Sequence, residues 1–125
     1  MTVTRLTDAP TVETPNAVMR TLASPTRHGS ALAVWQATLQ PGASGPEHRM
    51  DTDQVYVVLA GSLTVLVDGT PEDASIGDSI FVPADALRQI VNAGDGLVSI
   101  VVAMPAGAHV STPTGSHHGE LPWAR

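Results

Sequence analysis

The chain contains no cysteine. Disulfides, thiolate catalysis and cysteine-ligated zinc are thereby excluded. Aromatic residues are scarce, with two Trp, one Tyr and one Phe, so the core must be built from Val, Leu, Ile and Ala. Charge is sparse at 14%, and six basic residues stand against twelve acidic ones for a net charge of −6. An acidic surface without a basic patch repels phosphate backbones, and no nucleic-acid partner is expected. Long apolar runs are missing too. The longest, Leu97 to Met104, is interrupted by Ser99 and falls far short of the roughly 20 residues a bilayer requires. No membrane association is expected. The opening residues MTVTRLTDAP lack the apolar centre of a signal peptide, so a cytoplasmic location is expected.

Turn formers are plentiful: 11 Gly and 10 Pro in 125 residues. That spacing suits short strands in one domain. Residues 1–28, punctuated by Pro10, Pro15 and Pro25, read as an arm with one short strand near Ala17–Leu22 that covers a sheet edge, its own or a partner's. Ser30 to Gln40 reads as a strand rather than a helix, given Val34, Trp35, Thr38 and the closing Pro41-Gly42. Val55–Ala60 and Leu63–Val67 flank Gly61-Ser62, the dipeptide of a type II′ hairpin. Asp68-Gly69 signals another turn, and Glu72-Asp73 after Pro71 reads as a surface turn. Asp78–Val82 and Arg88–Val91 follow as strands, and Leu97–Met104 reads as a strand buried on both faces. About eight short strands and no amphipathic helix predict an all-β sandwich or closed barrel. The tail from residue 105 onward holds His109, His117 and His118 and ends in an apolar hook, Leu121-Pro122-Trp123. No nucleophile elbow or Gly-rich phosphate loop occurs.

Two blocks, Pro41–Gly61 and Gly77–Asn92, stand out. In the first, Gly42, Pro46, His48 and Gly61 occupy the scaffold positions of a first motif that elsewhere reads His-x-His followed by Glu; here Met50 and Gln54 replace the second His and the Glu. In the second, Gly77, Asp78, Pro83 and Asn92 match, whereas Asp85 replaces a Gly and Arg88 stands where another His belongs. These blocks resemble the two signature motifs of the cupin family. The resemblance covers roughly residues 30–104 and implies an antiparallel β-barrel, the double-stranded jelly roll. The chain then divides into an arm (1–28), the barrel (29–104) and a tail packing on it (105–125). A homodimer is implied as well.

The resemblance also implies a divalent metal held by three His and a Glu, but this chain keeps only His48 of that set. Arg88 has no acceptor and a permanent charge. A guanidinium ~4 Å from a dication costs roughly 8 kcal/mol at an effective dielectric near 20. Met50 offers a soft thioether and Gln54 a neutral carbonyl. No metal or other cofactor is expected. If one binds, His48 and Gln54 are its candidate ligands, with the tail histidines a lesser source.

If the register holds, His48, Met50, Gln54 and Arg88 project inward, with Tyr56 two residues beyond Gln54 on the same strand face. His48 is the candidate base, biased neutral by its cationic neighbour. Its alternative is a side chain that merely bonds a backbone carbonyl. Arg88 is the candidate for holding a carboxylate or steadying an enolate oxygen. The plain alternatives are an outward Arg88, or one paired with Asp85 or Glu120. Tyr56 donates a proton or fills the barrel, while Met50 and Gln54 contact a ligand. The expected function is metal-free proton chemistry, as in an isomerase, epimerase, cyclase or lyase, on a small carboxylate- or carbonyl-bearing molecule. The alternatives are a non-catalytic small-molecule-binding cupin and a metal-dependent, dioxygenase-like cupin with an unorthodox ligand set.

Overall fold

The structure, a computed structural model, describes residues 1–115 and 117–125, with the backbone alone at 117 and 118. Strands β1 (Thr11–Glu13) and β2 (Ala17–Ala23) come first, followed by a single helical turn, α1 (Pro25–His28). Ser24 caps that turn by accepting from the Arg27 amide, and Gly29 ends it in the left-handed region. Next are β3 (Leu32–Leu39), β4 (Arg49–Met50), β5 (Gln54–Ala60), β6 (Leu63–Val67) and β7 (Thr70–Ala74). The series closes with β8 (Ser79–Val82), β9 (Arg88–Val91), β10 (Val98–Pro105), β11 (Val110–Ser111) and β12 (His117–Gly119).

Every pairing among the described residues is antiparallel. One sheet runs β1-β2-β3-β10-β5-β8. Two three-stranded sheets, β7-β6-β9 and β12-β11-β4, complete the second wall. Isolated bridges Ser44↔Val91 and His48↔Arg88 tie the segment before β4 to β9. This is the all-β jelly-roll barrel that the cupin resemblance implies; strand spacing alone left a sandwich open. Its core alternates along the strands, with Ala33, Trp35, Ala37 and Leu39 of β3 and Val98, Ile100, Val102 and Met104 of β10 turned inward.

Three local expectations are corrected. Gly61-Ser62 does not close a hairpin: β5 pairs with β8 and β10, whereas β6 pairs with β7 and β9. The chain crosses there from one sheet to the other, and Gly61 is needed because a Cβ would lie 2.5 Å from the Leu97 carbonyl oxygen. The true hairpin is β6–β7, where Asp68 (φ 49°) and Gly69 (φ 82°) both take the left-handed conformation of a type I′ turn. Glu72 and Asp73, expected in a surface turn, lie within β7, an edge strand whose Pro and acids are the residues such edges carry. Finally, β10 is buried on one face only. Ser99, Val101 and Ala103 are half-buried on the other, and Leu97 is 53% exposed.

The first 28 residues contribute β1 and β2: β2 pairs along β3, and β1 forms the outer edge of that sheet. The apolar hook docks as a 3-10 turn, Pro122–Ala124. Its Trp123 carbonyl accepts from Thr21 Oγ1 at 2.7 Å, and its indole meets Trp35 edge-on at a centroid distance of 6.3 Å. Among the described residues no helix is long and apolar enough to cross a membrane.

Candidate active site

β5 alternates Gln54, Tyr56 and Val58 inward, so the first two share one face. β9 begins at Arg88, whose backbone exchanges two 2.9 Å hydrogen bonds with His48 in an antiparallel bridge. The barrel encloses a cavity of about 410 Å³. Its wall includes His48, Gln54 and Tyr56 together with Trp35, Ile90, Ile100, Val102 and the docked Leu121 and Trp123.

Arg88 points inward and is fully buried, yet it is not part of the cavity wall. Its guanidinium lies behind Gln54. Nη1 donates to Gln54 Oε1 at 3.0 Å, Nη2 to the Pro83 and Ala86 carbonyls at 3.3 and 3.0 Å, and Nε to Ala86 at 3.2 Å. Neither Asp85 nor Glu120 pairs with it, and among the described residues it forms no ion pair. Neutral protein oxygens solvate this charge, the role the sequence reading left to a ligand. Asp85, in the left-handed region at φ 67°, lies between the Pro83 and Ala86 carbonyls that face the guanidinium. Met50 is also fully buried and off the wall; it fills the core, and its carbonyl accepts from the Asp85 amide at 2.8 Å.

Gln54 Oε1 receives a second donor, the Tyr56 hydroxyl, at 2.5 Å. Burial pushes the Tyr56 phenol up to about 12, against the opposing pull of Arg88, so it stays protonated. His48 is half-buried. Its pKa is lowered, chiefly by burial, with the Pro46 carbonyl opposing and Arg88 adding to the shift. The cationic neighbour is thus a lesser cause than desolvation. Nδ1 lies 3.0 Å from the Pro46 carbonyl oxygen, which can only accept. Neutral His48 therefore carries its proton on Nδ1 and leaves Nε2 as a base.

The residues do not fit a divalent cation. The one oxygen Gln54 offers is taken by Arg88 and Tyr56, and a guanidinium stands beside it. Among the described residues no three His, Asp or Glu come together. His109 is turned to Asp51 at 3.8 Å, and the side chains of His117 and His118 lie outside the described residues.

Sequence reasoning missed several wall residues. Trp35 was legible as an inward β3 position, and Trp123 belonged to a hook whose docking place was unspecified. Glu47, exposed and on the cavity wall, gave no signal beyond its place next to His48.

A small antiparallel barrel enclosing an apolar cavity whose wall carries a few polar side chains, His48, Gln54 and Tyr56 among them, is a scaffold for handling small molecules. The cupin domain family matches residues 35–104, and the chain belongs to the cupin family. It is 30% identical over 97 residues to auxin-binding protein 1 of Arabidopsis thaliana, covering 68% of this chain and 49% of that protein. It is 36% identical over 78 residues to endoribonuclease YbeY of Myxococcus xanthus, covering 58% of this chain and 26% of that protein. The chain thus spans between about a quarter and a half of the curated relatives it matches. Among solved structures, the polyketide cyclase RemF from Streptomyces resistomycificus superposes with a TM-score of 0.76 at 19% identity, over 98% of this chain and 88% of that one. At that identity the likeness is one of fold.

Proposed function

We propose that this cupin moves a proton on a small carbonyl-bearing molecule held in the barrel cavity, using its own side chains and no metal. The observation that carries this reading is His48: a half-buried imidazole on an apolar wall, held neutral, with Nδ1 engaged by Pro46 and Nε2 left basic. Nε2 takes a proton from the carbon next to the carbonyl, and the C–H electron pair moves into the C=O to give an enolate. Return of the proton to the same or a neighbouring carbon gives epimerisation or isomerisation; attack of the enolate carbon on a second carbonyl of the same molecule forms a C–C bond and an alkoxide, which takes the proton back from His48 to complete cyclisation. General base catalysis of this kind contributes about 10²–10⁴-fold. The fold likeness to a polyketide cyclase agrees with this class of chemistry without selecting among its members.

The test is deuterium wash-in from D2O at the methyl carbon of 2-acetylnaphthalene, followed by NMR. The protein should accelerate exchange, and His48→Ala should lose at least about a hundredfold of the acceleration. Equal rates for the two proteins overturn the reading. A second reading, binding without turnover, is favoured by the similarity to auxin-binding protein 1; ligand recovered unchanged, with no exchange, would select it. The family resemblance further supports a homodimer, and sedimentation at the 12.9 kDa of a single chain would remove that part of the proposal.

A further inference from the structure

The orientation of the Gln54 amide is decided by chemistry. A guanidinium only donates, so the atom facing Arg88 Nη1 at 3.0 Å must be the oxygen. The Tyr56 hydroxyl donates to that same oxygen. The nitrogen is therefore turned away from both. Its one partner among the described residues is Met104 Sδ at 3.6 Å, a weak acceptor. Gln54 is 2% exposed and lines the cavity, so its second N–H is a buried donor awaiting an oxygen.

The rest of the wall says which oxygen. Glu47 is the only Asp, Glu, Lys or Arg among the described residues lining the cavity, and it is an acid. Arg88, off the wall and bonded to Gln54, is capped by Gln54, Pro83 and Ala86. A carboxylate entering here would lose its hydration and feel Arg88 only from behind Gln54, with no direct ion pair to replace the lost water. A neutral carbonyl needs only a donor: Gln54 Nε2 has one N–H to spare, and Trp123 Nε1, on the same wall, is a second buried donor with no partner among the described residues. Trp35 and Trp123 supply flat apolar surface, and about 410 Å³ accommodates a fused two-ring molecule.

We infer that the cavity selects an uncharged, ring-bearing carbonyl compound whose oxygen accepts from Gln54 Nε2, and that Arg88 and Tyr56 are positioning residues fixing which end of that amide meets it. The inference rests on the cavity being the working site, as proposed above, and assigns the substrate class and the group that receives the enolate oxygen.

Isothermal titration with three probes of one shape tests it: 2-acetylnaphthalene, 2-naphthoate and 2-ethylnaphthalene. The ketone should bind at least about tenfold more tightly than the carboxylate and about fivefold more tightly than the hydrocarbon. Gln54→Glu keeps an acceptor for Arg88 and Tyr56 but removes the N–H; it should bring the ketone down to the level of the hydrocarbon. A carboxylate that binds as well as the ketone overturns the inference. So does a ketone no better than the hydrocarbon, including absence of binding by all three, or a Gln54→Glu protein that binds the ketone like the unaltered one. These are affinities, so failure of proton transfer would leave them standing, and a preference for 2-naphthoate would leave the chemistry of His48 standing.

Discussion

Asn92 shows how much one side chain organises. Fully buried, its amide donates to the carbonyls of Leu39, Gln40 and Gly96 and accepts from the Gly94 amide, binding the end of β3 to the turn before β10. His48 carries a pH signature of the same local origin. Its unfolded pKa is 6.5 and its folded pKa is lower. Above 6.5 both states hold a neutral ring and nothing differs. As pH falls below 6.5 the unfolded chain takes up a proton that the folded one resists, so stability is lost from 6.5 downward toward the folded value. Urea melts between about pH 7.5 and 5 should show the natural protein losing more stability on acidification than His48→Gln; parallel losses would contradict the burial argument. The acid limb of any activity should likewise lie below 6.5. The motif positions implied by the cupin resemblance put His48, Met50, Gln54 and Arg88 inward, and strand alternation, a local rule, added Tyr56 two residues beyond Gln54. The sequence did not show Arg88 capped, because that depends on where the 83–86 loop, with Asp85 in a conformation usually left to glycine, places the Pro83 and Ala86 carbonyls.

At the level of strands, the lesson concerns partners. Gly61-Ser62 carries the chemistry of a tight hairpin, yet its flanking strands belong to different sheets. Turn residues report local backbone shape; which strands pair is decided by distant segments, here β8 and β10 for β5 and β7 and β9 for β6. The glycine is needed for another reason, a close crossing over Leu97 and Val98. Gly61→Ala should therefore destabilise the barrel by at least about 2 kcal/mol, combining a positive φ with a clash against backbone. Equilibrium unfolding would reveal it, and a loss under about 0.5 kcal/mol would mean the crossing relaxes freely. β7 was overlooked because Pro and acids argue against a central strand, and it is an edge.

For the molecule as a whole, the jelly roll followed from strand count and two punctuated blocks, whereas the closing of its cavity did not. Closure comes from segments distant in the chain: β11 pairs with β4, and the Pro122–Ala124 turn lies against β2 and β3. Deleting residues 121–125 removes Leu121 and Trp123 from the wall and uncovers Trp35. The expected cost is about 2 kcal/mol, on the order of 6–10 °C in Tm, with new binding of a hydrophobic dye. An unchanged melting curve would show the turn to be ornamental. The same packing has an optical corollary. The chain's two tryptophans both border the chamber, and neither is fully exposed to water. Their ultraviolet emission reports on that interior, so a guest that does not itself absorb there announces its arrival without any attached label.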